Sequence, residues 1–134
     1  MALQFSVTVR NARLDGIETA IGTSAKLYLY SGAVAANCAA ADPAGLLATL
    51  SLPSNWMADA ASGAKALAGT WTGTGSGAGT VASFRIKDSG GTTCHIQGTV
   101  TATGGGGDMT LDNTSIANLQ TINVTTFTLT DGNS

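Results

Sequence analysis

The sequence predicts a mainly β protein, an antiparallel β-sandwich or jelly roll with one short N-terminal helix. Three observations carry that expectation. Several short stretches alternate apolar and polar residues with a period of two, as strands with one buried face do. Turns rich in glycine separate them, in a chain that holds 18 glycines. Threonine, whose branched β-carbon suits a half-exposed pleat, is abundant. About seven short strands beside a single helical stretch fit a layered β architecture. The 134 residues suit one domain, which at this size buries about two-thirds of the surface of the unfolded chain. Without a repeat or a linker, 1–134 reads as a single domain: an arm over 1–8, a helix over 9–22 and strands between 25 and 130.

The helix is expected from Val9 to Ile21. Leu14, Ile17 and Ile21 recur at helical spacing, Asp15 and Glu18 take other faces, and Gly22 sits where the helix stops. Asn11 or Thr8 serves as the N-cap, and Gly16 in the middle costs about 1 kcal/mol relative to alanine. The period then becomes two. In Lys26-Leu27-Tyr28-Leu29-Tyr30 the leucines face inward and the lysine and tyrosines outward. Leu46, Ala48, Leu50 and Leu52 repeat the alternation until Pro53 ends it. Ala66 to Thr72, including Trp71, is a third strand. Ala82, Phe84 and Ile86 form the inward set of a fourth, with Arg85 and Lys87 outward. Val34–Pro43 and Asp59–Ala64 read as loops.

Asp88-Ser89-Gly90-Gly91 has the chemistry of a tight hairpin, glycine being free to take positive φ. The return strand runs from Thr92 to Thr103 and carries Cys94, Ile96, Gly98 and Val100. Gly104 to Gly107 reads as a flexible connection into Asp108-Met109-Thr110-Leu111. In the last strand, Thr121 to Thr130, Ile122 and Val124 share one parity while Phe127 and Leu129 share the other. A β-bulge near Thr125 and Thr126 brings all four to the core side.

Charged residues make up 10% of the chain and hydrophobic ones 43%, against about 25% charged in an average domain. A surface so poor in ions loses little hydration when a partner docks, which favours burial in an assembly. The net charge is −2, and Arg10, Arg13, Lys26, Lys65, Arg85 and Lys87 are scattered rather than striped, which disfavours nucleic acid. The absence of a long apolar run predicts no membrane span. Met1 to Arg10 lacks the basic and apolar regions of a signal peptide, so the chain is expected to be kept in a cytosol until it is assembled or released.

Candidate chemistry is sparse, and no enzymatic activity, cofactor or metal is expected. Neither Cys38 nor Cys94 belongs to a CxxC motif, and one histidine cannot complete a zinc set with them. Cys94 reads as a small buried hydrophobe or as one half of a disulfide with Cys38 formed after release from the cell. His95 reads as a surface or interface side chain, pointing away from Cys94 on the opposite face of its strand. Asp88, Asp108, Asp112 and Asp131 lie within two residues of glycine or asparagine and read as turn residues, with calcium the other reading. Gly73 to Gly79 lacks the spacing of a phosphate loop and is expected to be mobile or ordered by a partner.

Candidate interface residues are Leu3, Phe5 and Val7, whose alternation allows the arm to add to another chain's sheet. Tyr28 and Tyr30 share an outward face where they can stack on a sugar or anchor a protein, unless the helix covers them. Trp56 and Trp71 read as core or interface anchors.

The string Val9-Arg10-Asn11-Ala12-Arg13-Leu14-Asp15-Gly16-Ile17-Glu18-Thr19-Ala20-Ile21-Gly22-Thr23 resembles the start of a family of small structural proteins of tailed bacteriophages. Leu52-Pro53-Ser54-Asn55-Trp56-Met57, Phe84-Arg85-Ile86-Lys87-Asp88, Cys94-His95-Ile96-Gln97-Gly98-Thr99-Val100 and Phe127-Thr128-Leu129-Thr130-Asp131-Gly132 are similar to the same family. The resemblance spans nearly the full length. It implies a virion component assembled in the host bacterial cytoplasm, similar to capsid cement or decoration proteins. Such proteins bind the major capsid protein shell, often as dimers or trimers. The alternative it implies is a protein associated with the tail or a fibre that contacts host glycans. It brings no catalytic residue.

Overall fold

The computed structural model describes residues 3–132; residues 1, 2, 133 and 134, the outermost parts of the expected arm and domain, lie outside it. The fold is mainly β with one helix, as expected, and its principal sheet is curled and mixed. Helix α1, Val7–Ile21, begins two residues earlier than its apolar spacing suggests. Ser6 is its N-cap, accepting a hydrogen bond from the Val9 N–H at 3.3 Å, and neither Thr8 nor Asn11 has that role. Gly22 ends it at φ +93°, a value that costs glycine little, and donates its N–H to the Glu18 carbonyl at 2.8 Å.

Only Leu14 and Ile21 of α1 are buried, so a narrow apolar contact is supplemented by polar ones. Asn11 Oδ1 accepts from the Gly63 N–H at 2.9 Å, Asp15 Oδ1 from the Ala60 N–H at 2.9 Å, and the Arg13 guanidinium meets the Asp131 carboxylate at 3.1 Å.

Ten strands follow. They are β1 (Lys26–Tyr30), β2 (Leu46–Ser51), β3 (Ala64–Ala66), β4 (Thr72–Thr74), β5 (Gly79–Thr80), β6 (Ser83–Lys87), β7 (Cys94–Ala102), β8 (Met109–Leu111), β9 (Ser115–Ile116) and β10 (Thr121–Thr130). The main sheet has the order β2-β1-β6-β7-β8-β10-β3, with β4 also paired to β10, and β5 and β9 form a separate ribbon. A bridge between Ala48 and Gly75 and a hydrogen bond from the Ser76 N–H to the Leu47 carbonyl at 2.8 Å join the β4 end to β2. The sheet thus curls until its ends meet, which hides edges that would otherwise invite pairing with other chains. Those contacts also hold Gly73–Gly79 within the chain, contrary to the expectation of a mobile or partner-ordered loop.

Several strand assignments hold and several move. The bulge in β10 is present: Val124 pairs with Leu111 and Thr126 with Thr110, leaving Thr125 as the extra residue. Ile122, Val124 and Phe127 are all buried as a result. Ala66 to Thr72 is not one strand. Its two ends, β3 and β4, pair with opposite halves of β10, and the chain leaves the sheet between them at Gly69, φ +67°. In β2 an irregularity opposite Leu29 and Tyr30 turns Leu46 outward and buries Leu47 in its place.

One pair in the sheet is parallel, β7 with β8, where an all-antiparallel arrangement was expected. Loop 103–108 doubles back tightly: the Gly107 N–H donates to Thr101 Oγ1 at 3.0 Å and the Asp108 carboxylate accepts from the Thr99 N–H at 2.9 Å. A β-carbon on Gly105 would lie 2.7 Å from Thr101, so this is a packed turn rather than the flexible connection that its glycines suggest. The core is centred on a chain of rings: Trp56 to Trp71 at 5.9 Å, Trp71 to Phe127 at 5.6 Å and Phe127 to Phe84 at 5.6 Å. Offset and edge-on contacts of this kind add to the area they bury.

Candidate functional site

Strand β6 is central in the sheet and buried on both sides. Phe84 and Ile86 enter the apolar core, whereas Ser83, Arg85 and Lys87 face the other way. That second face is roofed by the segment between β1 and β2, whose neck is closed by hydrogen bonds from the Ser31 N–H to the Gly45 carbonyl and from the Gly32 N–H to the Ala44 carbonyl. Arg85 and Lys87 are therefore not the solvent-facing residues that alternation predicts. The reason is a covering loop that lies far away in sequence.

The Arg85 guanidinium donates to the carbonyls of Asn37 at 3.1 Å and Ala40 at 3.0 Å, to Asp42 Oδ1 at 2.9 Å and to Gln97 Oε1 at 3.1 Å. Lys87 reaches the other Asp42 oxygen at 2.8 Å. The planar fork of arginine suits such a set of acceptors, as lysine could not. The Lys87 hydrogen bond is the main reason that the Asp42 carboxyl lies below its ordinary pKa of 3.8. A depressed carboxylate stabilises the fold fully above its unfolded pKa, and the contribution disappears as pH falls through the folded value. Asp42→Asn is therefore expected to be less stable than the wild type at neutral pH. The difference should close as pH drops below 3.8, which urea unfolding across a pH series will read.

Cys38 and Cys94 meet beneath the same loop, with Sγ atoms 2.8 Å apart. Both are free thiols here. Burial, followed by the neighbouring Cys38, pushes the Cys94 thiol up to about 12. The pairing depends on a second bulge: Ile86 pairs with Ile96 but Lys87 pairs with Cys94, so His95 is the extra residue. Cys94 is thereby rotated from the core side, where its parity with Ile96 placed it, to the face of Lys87. His95 itself is exposed.

The six interface candidates separate into two groups. Leu3 is 76% exposed, Val7 46% and the neighbouring Val9 42%, and Phe5 is exposed as well, with the Arg13 guanidinium 5.0 Å from its ring centroid. Val7 belongs to the helix rather than to the arm. The other three are covered. Tyr28 is half-buried with the Lys87 ammonium 4.8 Å above its ring. Tyr30 is only 2% exposed, under the β1–β2 loop rather than under the helix, and burial chiefly pushes its hydroxyl up to about 12. Trp56 is fully buried and donates its indole N–H to the Gly22 carbonyl at 2.8 Å. Neither Tyr30 nor Trp56 is available as a surface anchor.

Beneath the helix, Lys65 is buried and donates to Asp15 at 2.7 Å and to the Ala58 carbonyl at 2.8 Å, with Glu18 at 2.9 Å. Burial alone would lower the pKa of this ammonium, but the two carboxylates outweigh that effect and raise it. Asp88 behaves as the turn residue it was read as, its Oδ1 accepting from the Thr92 N–H at 2.9 Å, whereas the Asp112 carboxylate reaches across to Asn123 at 3.1 Å and Asp131 pairs with Arg13 of the helix. Among the described residues no group of three or more His, Cys, Asp or Glu side chains converges as a metal set, and no helix is long and apolar enough to cross a membrane. Neither a family model nor a curated protein nor a solved structure matches this chain.

Proposed function

We propose that this chain is a structural protein of a tailed-bacteriophage particle, a cement protein that binds the outer surface of the major capsid protein shell. The observation that carries the reading is the clustering of exposed apolar side chains. Among the described residues six large hydrophobics stay exposed, and four of them, Leu3, Phe5, Val7 and Val9, fall within seven consecutive positions. Scattered apolar side chains are ordinary on a surface, and what sets these four apart is their concentration along the chain, in the arm and the first turn of α1. Two further features support the reading. The chain is only 10% charged, so its surface is cheap to desolvate, and its stretches resemble small phage structural proteins. A cement protein placed many times on a lattice gains avidity from repetition even when each contact is modest, with about 1,000 Å² or more buried per specific contact.

Because Ser6 and Val7 open the helix, deleting the arm would also damage α1, and point substitutions make the cleaner test. A Leu3→Ser/Phe5→Ser/Val7→Thr variant is expected to keep the melting temperature within a few degrees while losing at least about tenfold in occupancy on shells stripped of this protein. The readout is co-sedimentation with shells, quantified by mass spectrometry. Undiminished occupancy would remove the N-terminal segment from the interface. A copy number in the intact particle at the level of tail rather than shell proteins would replace the capsid reading with a tail one. Native mass spectrometry of the free protein tests the dimer or trimer that the reading includes.

A further inference from the structure

We propose that Cys38 and Cys94 form a reversible disulfide latch that ties the β1–β2 loop to the start of β7 and so holds it over the back of β6. Three features of the fold bring the two sulfurs together. Asn37 Oδ1 accepts from the N–H groups of Ala39 at 2.9 Å and Ala40 at 3.0 Å, folding a turn that presents Cys38. The Arg85 guanidinium grips that turn on both sides of Cys38, through the carbonyls of Asn37 and Ala40. The bulge at His95 aims Cys94 at the same face. The thiols are thus positioned at 2.8 Å by contacts that need no covalent bond between them, so the reduced protein is already arranged for closure. Both line a solvent-connected recess of about 380 Å³, which gives a small reagent access.

The oxidant is a low-molecular-weight disulfide. The Cys38 thiolate attacks one sulfur of the reagent, breaking its S–S bond and expelling one thiolate, which takes up a proton. Cys94 then loses its proton and attacks the Cys38 sulfur of the mixed disulfide, expelling the second thiolate. In sum two protein thiols and one small disulfide give the Cys38–Cys94 bond and two small thiols. Two electrons and two protons pass to the reagent. The high pKa of Cys94 assigns the first attack to Cys38 and the slower, resolving step to Cys94. A reducing cytosol keeps the latch open and an oxidising exterior closes it.

The bond would tie residues 56 positions apart, and a loop of that length predicts that closure raises the melting temperature by on the order of 10 °C. The full chain is incubated with oxidised glutathione and divided, and one half is re-reduced with dithiothreitol. The expected result is an oxidised monomer lighter by two hydrogens, with a Cys38–Cys94 cross-linked peptide after digestion and the higher melting temperature. The same treatment should leave Cys38→Ser and Cys94→Ser folded at about the melting temperature of the reduced wild type, with Cys94→Ser stopping at the mixed disulfide between Cys38 and glutathione. Full alkylation of both thiols under native conditions after oxidant treatment would overturn the proposal. So would a disulfide between two copies, or a cross-link that leaves melting unchanged. None of these readouts depends on the capsid assignment.

Discussion

Replacing Trp56 with alanine is expected to cost about 3–5 kcal/mol of stability, the range for removing a large aromatic side chain from a packed core. The ring is fully buried, contacts Trp71 at 5.9 Å and donates to the Gly22 carbonyl at 2.8 Å, where it ties the end of α1 to the body of the sheet. Alanine would leave a cavity at one end of the ring chain and strip the carbonyl of its partner. A domain of this kind is stable by about 5–15 kcal/mol in all, so the variant should be largely unfolded or should unfold at much lower urea. Trp56→Phe keeps most of the volume and loses the N–H, and should cost about 1–2 kcal/mol. Urea titration followed by the fluorescence of Trp71 reads both. An unchanged midpoint for the alanine variant would contradict the packing described.

Arg85→Ala is expected to cost about 2–4 kcal/mol, because it removes a buried side chain and strips the Asn37 and Ala40 carbonyls and Gln97 of their donor, whereas Asp42, 44% exposed, keeps Lys87. The side chain is 3% exposed, and its acceptors include two loop carbonyls and the Asp42 carboxylate. The loss should therefore be local as well as global, with 33–43 becoming the preferred site of limited proteolysis while amides of β6 and β7 keep much of their protection. Arg85→Lys retains the charge but not the fork and is expected to recover less than half of the loss. If lysine restores wild-type stability and protease resistance, charge alone holds the loop and the account of the guanidinium is wrong.

Much of the β architecture was legible because local pattern and tertiary burial agree. Leu27 and Leu29, Phe84 and Ile86, and the parity slip between Val124 and Phe127 each report which way a strand faces, and the structure buries all six. The hairpin at Asp88–Gly91 was legible because its turn chemistry is contained in four residues. The start of α1 was missed because a serine outside the apolar repeat caps it. The broken strand around Gly69 was missed because β10 supplies the pairing at both ends, and nothing within Ala66–Thr72 reveals that.

The candidate sites divide along the same line. Leu3, Phe5 and Val7 are exposed, although Val7 opens the helix instead of continuing the alternation of the arm. Arg85, Lys87 and Asp42 were not found as a site, because alternation says only that a side chain points away from the core, never what lies beyond it. Tyr30 was misplaced for the same reason, and of the two readings of Trp56 the structure selects the core.

What the amino-acid order determined alone is which residues pair with the period of a strand, where turns fall and how few charges the surface carries, since these depend on residues within one or two turns of each other. The partners of β8, the roof over β6 and the meeting of Cys38 with Cys94 were decided only by the folded sheet. Each joins segments tens of residues apart, and a one-residue bulge at His95, invisible in the pattern, reverses the face on which Cys94 lies.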